Sequence, residues 1–232
     1  MKKIAIILSG GVGSRMKLDI PKQYIMVENK PIICYCLETF LRNPQIDYII
    51  IGVADEWKDF VEEHISKLNS TKKILFAKPG ETRQYSIYNA MNVAKDYGAG
   101  DGDTVIIHDA ARPLVSNDLI SRCILSCNAF DGVMPAIPCK DTVYLSEDGE
   151  VINALLNRSH LWCGQAPEAF SFLKYLEAHE NTAREDLLKI NGSTELAIKA
   201  GMNCHMIPGD PLNFKITTPE DLSNFKSIIR KK

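Results

Sequence analysis

Short apolar runs alternate with stretches of helical spacing almost from one end of the chain to the other. Ile4 to Leu8 is an unbroken apolar run, which predicts a strand buried on both faces. Ile32 to Leu41 has the apolar spacing of a helix, and Tyr48 to Val53 reads as a second buried strand. Trp57 to Leu68 is amphipathic, with Trp57, Phe60, Val61, Ile65 and Leu68 on one face. Ile74 to Ala77 predicts a third strand and Tyr85 to Tyr97 a helix. Thr104 to His108 predicts a fourth strand, Asp118 to Cys127 a helix and Val133 to Ile137 a further strand. Thr218-Pro219-Glu220-Asp221 opens a last helix with an N-cap hydroxyl, proline at the first helical position and acids in the first turn. This order predicts an α/β fold, a mostly parallel sheet with helices on both faces. Ligands of such sheets sit beyond the carboxyl ends of the strands.

One segment interrupts the alternation. Asp141 to Leu145 and Val151 to Leu155 predict two short strands around an Asp148-Gly149 turn, an arm at about residues 139–160 of an otherwise single domain, 1–232. A lone two-stranded hairpin is marginal in water, so the arm needs a surface, either its own domain or a second subunit.

Bulk properties narrow the classes. A net charge of −2 gives no global pull toward nucleic acid or anionic membrane, so any cationic site must be local. No apolar run reaches the length of a membrane span, and the start lacks the long apolar region of a signal peptide, so a cytoplasmic protein is expected. The seven cysteines (34, 36, 123, 127, 139, 163 and 204) form no C-x-x-C pair and have no zinc spacing; reduced thiols are expected.

The first predicted strand runs into Ser9-Gly10-Gly11-Val12-Gly13-Ser14-Arg15, followed by Pro21-Lys22-Gln23-Tyr24. Glycines allow tight turns and close approach to a ligand, and consecutive backbone N–H groups form an anion-binding concavity. Arg15 and Lys22 can add full charges where a polyphosphate would lie. The bland alternative is a glycine turn with two solvated cations. A P-loop is excluded because the chain has no Gly-Lys pair, and the dinucleotide fingerprint fails because Met16 stands at its third glycine.

Other segments carry chemistry with a structural alternative beside each. His108-Asp109-Ala110-Ala111-Arg112-Pro113 closes the fourth strand. Asp109 can help hold Mg²⁺ or cap a turn. Arg112 can pair with a carboxylate or phosphate of a ligand or with a neighbouring acid, and His108 is expected to be packed and hydrogen-bonded. In Gly80 to Ser86, Gly80 and Ser86 can meet a base or cap a helix, and Arg83 can contact the base or brace the loop. Lys215, predicted on a short strand with Phe214 and Ile216 facing the other way, is either a second phosphate ligand or a solvated edge cation. Arg158, after the arm, is a candidate for an anionic second substrate.

Taken in order, Gly10 to Met16, Pro21 to Tyr24, Gly80 to Ser86, Val105 to Pro113, Asp141-Thr142, Arg158 to Phe170 and Asn213 to Leu222 resemble the polyol-phosphate cytidylyltransferases, the 2-C-methyl-D-erythritol 4-phosphate and ribitol 5-phosphate enzymes. The resemblance covers essentially the whole chain. It implies a Rossmann-like three-layer fold and a homodimer in which the arm reaches over the partner. It further implies CTP phosphates on Gly11, Gly13, Arg15 and Lys22, cytosine and ribose at Gly80 and Ser86 with Ala110 nearby, and further nucleotide contacts at Ser9, Gly10 and Arg83. Asp109 would serve Mg²⁺, and Lys215 would join Lys22 at the reacting phosphate. Arg112, with Thr142 and Arg158 from the partner's arm, would grip the polyol phosphate. Two departures stand out: Asn191-Gly192 replaces a usual Thr-Asp pair, and Gln165-Ala166-Pro167-Glu168 replaces Gln-Thr-Pro-Gln.

The expected reaction is CTP plus a polyol phosphate giving a CDP-polyol and pyrophosphate. Gly10-Gly11, Asn157 to Leu161 and Gly164-Gln165 lean to ribitol 5-phosphate, whereas His108 to Pro113 is shared with the methylerythritol enzymes. The competing classes are a nucleotide-binding protein without turnover and a sugar-1-phosphate nucleotidyltransferase using another nucleotide.

Overall fold

The computed structural model describes residues 1–11 and 20–231. Gly13 and Arg15, both assigned to the phosphates from the sequence, lie outside the described residues. In chain order the elements are β1 (Lys3–Leu8), β2 (Met26–Val27), β3 (Lys30–Pro31), α1 (Ile32–Arg42), β4 (Tyr48–Gly52), α2 (Asp55–Ser66), β5 (Lys73–Ala77), α3 (Arg83–Asp96), β6 (Thr104–Asp109) and α4 (Asn117–Ser126). They continue with β7 (Gly132–Pro138), β8 (Val143–Leu145), β9 (Ala154–Leu156), β10 (Trp162–Gly164), β11 (Glu168–Ser171), α5 (Phe172–Asn181), α6 (Arg184–Leu187), α7 (Ser193–Lys199), β12 (Cys204–Pro208) and α8 (Pro219–Arg230).

Among the described residues an eight-stranded sheet runs in the order β10-β7-β11-β6-β1-β4-β5, with β12 also paired to β7. β6, β1, β4 and β5 pair in parallel, as do β7 and β12, while β11 and β10 run antiparallel to their neighbours. The apolar strand runs are explained by burial on both faces. Ala5, Ile7, Ile49, Ile51 and Ile106 join one core cluster with α1 and α4, whereas Ile4, Ile6, Ile50, Val105 and Ile107 join the other with α3 and α5. The period of two splits each strand between the two clusters, giving three layers. As predicted, α8 begins with the Thr218 hydroxyl accepting from the Asp221 backbone N–H at 3.2 Å and Pro219 at its first position. Among the described residues no helix is long and apolar enough to cross a membrane.

Two expectations need correction. The arm does pair as a hairpin, Val143 opposite Leu156 and Leu145 opposite Ala154. Its connection, however, is not a tight Asp-Gly turn, and Val151 and Ile152 lie in the loop rather than in a strand. The Asp148 carboxylate collects the N–H groups of Glu150 and Val151 at 2.8 Å each, and Asn153 accepts from Glu147 N–H, so side chains close a wider loop. Lys215 is not on a strand either. Its segment is tied instead to the turn after β6, where Ile216 N–H donates to the Ala111 carbonyl at 2.8 Å. Its alternation nevertheless holds, since Ile216 is buried and Phe214 packs with it and Phe225 while Lys215 turns the other way.

Candidate active site

A cavity of about 480 Å³ opens beyond the carboxyl ends of β1 and β6. Leu8, Gly10, Gly11, Lys22, Gln23 and the 80–83 turn line it, with Ser86, Asp109, Ala111 and Lys215 closing the remainder. The parallel pairing of Leu8 with Asp109 sets the glycine loop and the aspartate side by side at that rim.

The glycine loop is pinned from below. Ser9 is buried, and its hydroxyl donates to the Gly52 carbonyl at 2.7 Å, so this side chain fastens β1 to β4 and does not line the cavity. The Ser9 carbonyl accepts from the Tyr24 hydroxyl at 2.9 Å, and Gln23 Nε2 donates to the carbonyls of Ser9 and Gly11. Gln23 was quoted in the sequence motif but given no part there; a single turn carries both Lys22 into the cavity and Gln23 under the loop.

The second wall is the 80–86 turn. Gly80 N–H donates to Ser86 Oγ at 3.0 Å, and that hydroxyl donates to the Thr82 carbonyl at 2.9 Å, while the Thr82 hydroxyl caps α3. The capping role foreseen for this turn is therefore present, with Gly80 and Ser86 still lining the cavity. A Cβ at Gly80 would lie 2.3 Å from Tyr85 Cβ and 2.7 Å from the Tyr85 carbonyl carbon, so only glycine fits there.

Asp109 sits at the centre of the charge. One oxygen lies 3.4 Å from Arg83 Nη2, and the other 3.0 Å from Lys215 Nζ and 3.6 Å from Arg112 Nε. Burial pushes its carboxyl upward, but Arg83, Lys215 and Arg112 outweigh that and hold it well below the usual carboxylate range. Arg83 also reaches Glu168 at 3.3 Å and donates to the Ser193 hydroxyl. Burial disfavours its charge, yet Asp109 and Glu168 more than compensate and raise its pKa above the ordinary value. Arg83 thus braces the site, the second of its two foreseen roles.

Arg112 is not a cavity residue. Its Nη1 donates to the Asn213 carbonyl at 2.8 Å and its Nε faces Asp109, which makes it the structural ion pair that the sequence left open. Ala110 is buried in the core cluster, and its neighbour Ala111 faces the cavity instead, because the chain has left the strand by that point. His108 is buried, with Nε2 3.0 Å from the Arg112 carbonyl; burial lowers its pKa to about 4, so it is neutral and donates that bond.

Thr142 and Arg158 lie together but away from this cavity. They line a separate concavity of about 410 Å³ at the root of the arm, where Arg158 Nη1 donates to the Lys140 carbonyl at 2.8 Å. Within one chain the two groups of site residues do not meet.

Among the described residues no cluster of three or more carboxylate, histidine or cysteine side chains could hold a metal. Asp109 alone fits a Mg²⁺ ion only if phosphate and water oxygens supply the remaining ligands, the usual habit of Mg²⁺ at nucleotides.

Comparison with known proteins bears on this geometry. The family model for IspD, 2-C-methyl-D-erythritol 4-phosphate cytidylyltransferase, matches residues 3–231. A ribitol-5-phosphate cytidylyltransferase from Lacticaseibacillus paracasei is 31% identical, covering 98% of each chain. A 2-C-methyl-D-erythritol 4-phosphate cytidylyltransferase from Clostridium tetani is 37% identical, covering 99% of this chain and 91% of its own. The crystal structure of the Francisella tularensis 2-C-methyl-D-erythritol 4-phosphate cytidylyltransferase superposes with a TM-score of 0.80 at 30% identity, covering 97% of this chain and all of that one. With a cationic cavity at the rim of a mostly parallel sheet, and relatives matched over nearly the whole length, this chain belongs to the IspD family of cytidylyltransferases.

Proposed function

We propose that the protein transfers CMP from CTP to D-ribitol 5-phosphate, giving CDP-ribitol and pyrophosphate. The observation that carries this reading is the cavity itself, which Lys22 and Lys215 line together with Gly10 and Gly11. Ribitol 5-phosphate is favoured by the resemblance at Gly10-Gly11, Asn157 to Leu161 and Gly164-Gln165, and by the ribitol-named relative. A second reading, 2-C-methyl-D-erythritol 4-phosphate, is supported by the His108 to Pro113 run and by the relatives named for that substrate.

The acceptor phosphate is already anionic, so the reaction needs no general base. It attacks the α-phosphorus in line and pyrophosphate leaves. Arg15, Lys22 and Lys215 orient the triphosphate and spread the negative charge of the crowded centre, and the Gly10-Gly11 backbone allows close approach. Asp109 would hold Mg²⁺, which supplies further neutralisation of the phosphates when bound. Gly80, Ser86 and Ala111 would receive the nucleoside. Thr142 and Arg158 would come from a second copy, since their own chain keeps them apart from its cavity; a homodimer through the arm also supplies the surface that an isolated hairpin lacks.

The test is pyrophosphate release from CTP with each polyol phosphate supplied separately. Faster release with ribitol 5-phosphate supports the first reading, and the reverse order selects the second. CTP binding without release for either acceptor would overturn both and leave a silent nucleotide-binding protein.

A further inference from the structure

Glu168 has no part in the reaction as written, yet it is a carboxylate only 7% exposed, one strand away from Asp109. Its Oε1 accepts from the Thr194 backbone N–H at 3.1 Å and from the Thr194 hydroxyl at 2.8 Å. Its Oε2 lies 3.3 Å from Arg83 Nη2, the same nitrogen that stands 3.4 Å from Asp109. Asp109 in turn holds Lys215 at 3.0 Å. A continuous polar chain therefore runs from the start of α7 through Glu168, Arg83 and Asp109 to a cation that faces the cavity.

In this chain each charge sets how firmly the next is held. Among the described residues, Arg83, Arg112 and Lys215 pair with Asp109 and Glu168, three cations against two carboxylates. Glu168 draws Arg83 partly off Asp109, and an Asp109 that is less satisfied by Arg83 grips Lys215 more strongly. A polyphosphate must take Lys215 away from that grip, because one ammonium cannot fully serve both anions. With Glu168 neutral, Arg83 would turn wholly to Asp109 and Lys215 would be cheaper to release.

We infer that Glu168 is a positioning residue that sets, through Arg83, how firmly Asp109 retains Lys215 before a polyphosphate claims it. The inference rests on the proposed role of Lys215 as a phosphate ligand. Removing this buried carboxylate, which does not line the cavity, therefore tightens polyphosphate binding. A carboxylate that merely pins α7 to the sheet would do the opposite, since its loss would loosen the 80–83 wall.

The experiment is calorimetric titration of inorganic tripolyphosphate into the intact protein and its variants. Glu168→Gln keeps an acceptor for Thr194 but loses the charge, and is expected to bind roughly three- to tenfold tighter. Glu168→Asp keeps the charge and is expected to stay near the unaltered protein. Thr194→Val leaves the carboxylate with fewer donors and more hold on Arg83, so it should bind more weakly; it also keeps a readout in hand should Glu168→Gln fold poorly. In a Lys215→Ala background the gain from Glu168→Gln should vanish, because the coupling passes through that ammonium. Unchanged or weaker binding by folded Glu168→Gln, or a gain that persists without Lys215, overturns the inference. If Lys215→Ala alone leaves tripolyphosphate affinity intact, the phosphate role of Lys215 fails first and the inference falls with it.

Discussion

Two glycines that line the same cavity should respond oppositely to a single methyl group. At Gly80 the added Cβ would meet Tyr85 Cβ at 2.3 Å, the Tyr85 carbonyl carbon at 2.7 Å and Ser86 N at 2.9 Å. Two of these atoms are backbone in the first turn of α3, so no rotamer change relieves them, and the turn must open. Opening it strains the Gly80–Ser86 hydrogen bond at 3.0 Å. Overpacking of this kind costs about 2 kcal/mol. For a chain of this size the entropy of unfolding converts that to a fall in Tm of about 4 °C. At Gly11 an added Cβ meets none of the described residues within 4 Å, so Gly11→Ala should change stability by less than about 0.5 kcal/mol. If the triphosphate backbone packs against Gly11, that same methyl group occupies ligand space and CTP affinity drops. Differential scanning calorimetry with and without CTP separates the cases. Gly80→Ala melts lower with or without ligand, and Gly11→Ala melts normally alone but loses the shift that CTP produces. An unaltered Tm for Gly80→Ala would refute the steric argument. A full CTP shift for Gly11→Ala would remove the first glycine turn from the phosphate site.

The remaining predictions follow from the same geometry. Lys22→Ala should lower turnover on the order of 100-fold in a folded protein, as loss of one preorganised charge does, and near-normal pyrophosphate release would rule out its assigned role. If arm and cavity come from different subunits, mixing and re-equilibrating Lys22→Ala with Arg158→Ala should restore roughly a quarter of normal activity, since half the sites of each mixed dimer pair intact Lys22 with intact Arg158. No recovery in a mixture shown to contain hybrids would place Arg158 in its own chain's site or outside any site. Burial lowers the pKa of both His108 and His179 from 6.5 to about 4. Between those values the unfolded chain binds more protons than the folded one, so stability is fully present above pH 6.5 and is lost as pH falls toward 4. Tm measured across this range should fall with acid, and His179→Phe should flatten the slope by about one proton; an unchanged slope would contradict its neutral, buried state.

What the sequence disclosed, and what it concealed, divides along the range of the interaction involved. The strands at Ile4 to Leu8 and Thr104 to His108 were legible because burial on both faces forces an unbroken apolar run, a purely local signature. The Thr218 cap was legible for the same reason. The partners that brace Arg83 were not, because Asp109 and Glu168 lie 26 and 85 residues away and the antiparallel pairing of β11 with β6 sets them side by side. The resemblance pointed to Ala110, whereas Ala111 lines the cavity; the chain leaves β6 after Asp109, so strand alternation does not say which of the two methyl groups faces it. The arm loop misled in another way. An Asp-Gly pair signals a two-residue turn, but Asp148 spends its carboxylate on two backbone N–H groups downstream and widens the loop.

The surroundings of Asp109 explain how a cleft that gathers cations remains stable. A cavity built to meet a triphosphate must concentrate positive charge, and unopposed positive charge destabilises the empty protein. Here Asp109 and Glu168 oppose Arg83, Arg112 and Lys215. The arginines are tied down by further bonds, Arg112 to the Asn213 carbonyl and Arg83 to Ser193, whereas Lys215 has a flexible stem, a side chain about one-third exposed and a place on the cavity wall. Among the described residues the cluster thus separates cations that hold the site's shape from a lysine that, in the proposed function, would turn to a phosphate. That division explains why an arginine would serve poorly at position 215: its planar fork would lock onto Asp109 in two bonds, where an ammonium gives up one. Lys215→Arg should therefore bind tripolyphosphate more weakly than the unaltered protein although its charge is unchanged, and equal affinity would show that the exchange from carboxylate to phosphate does not limit binding.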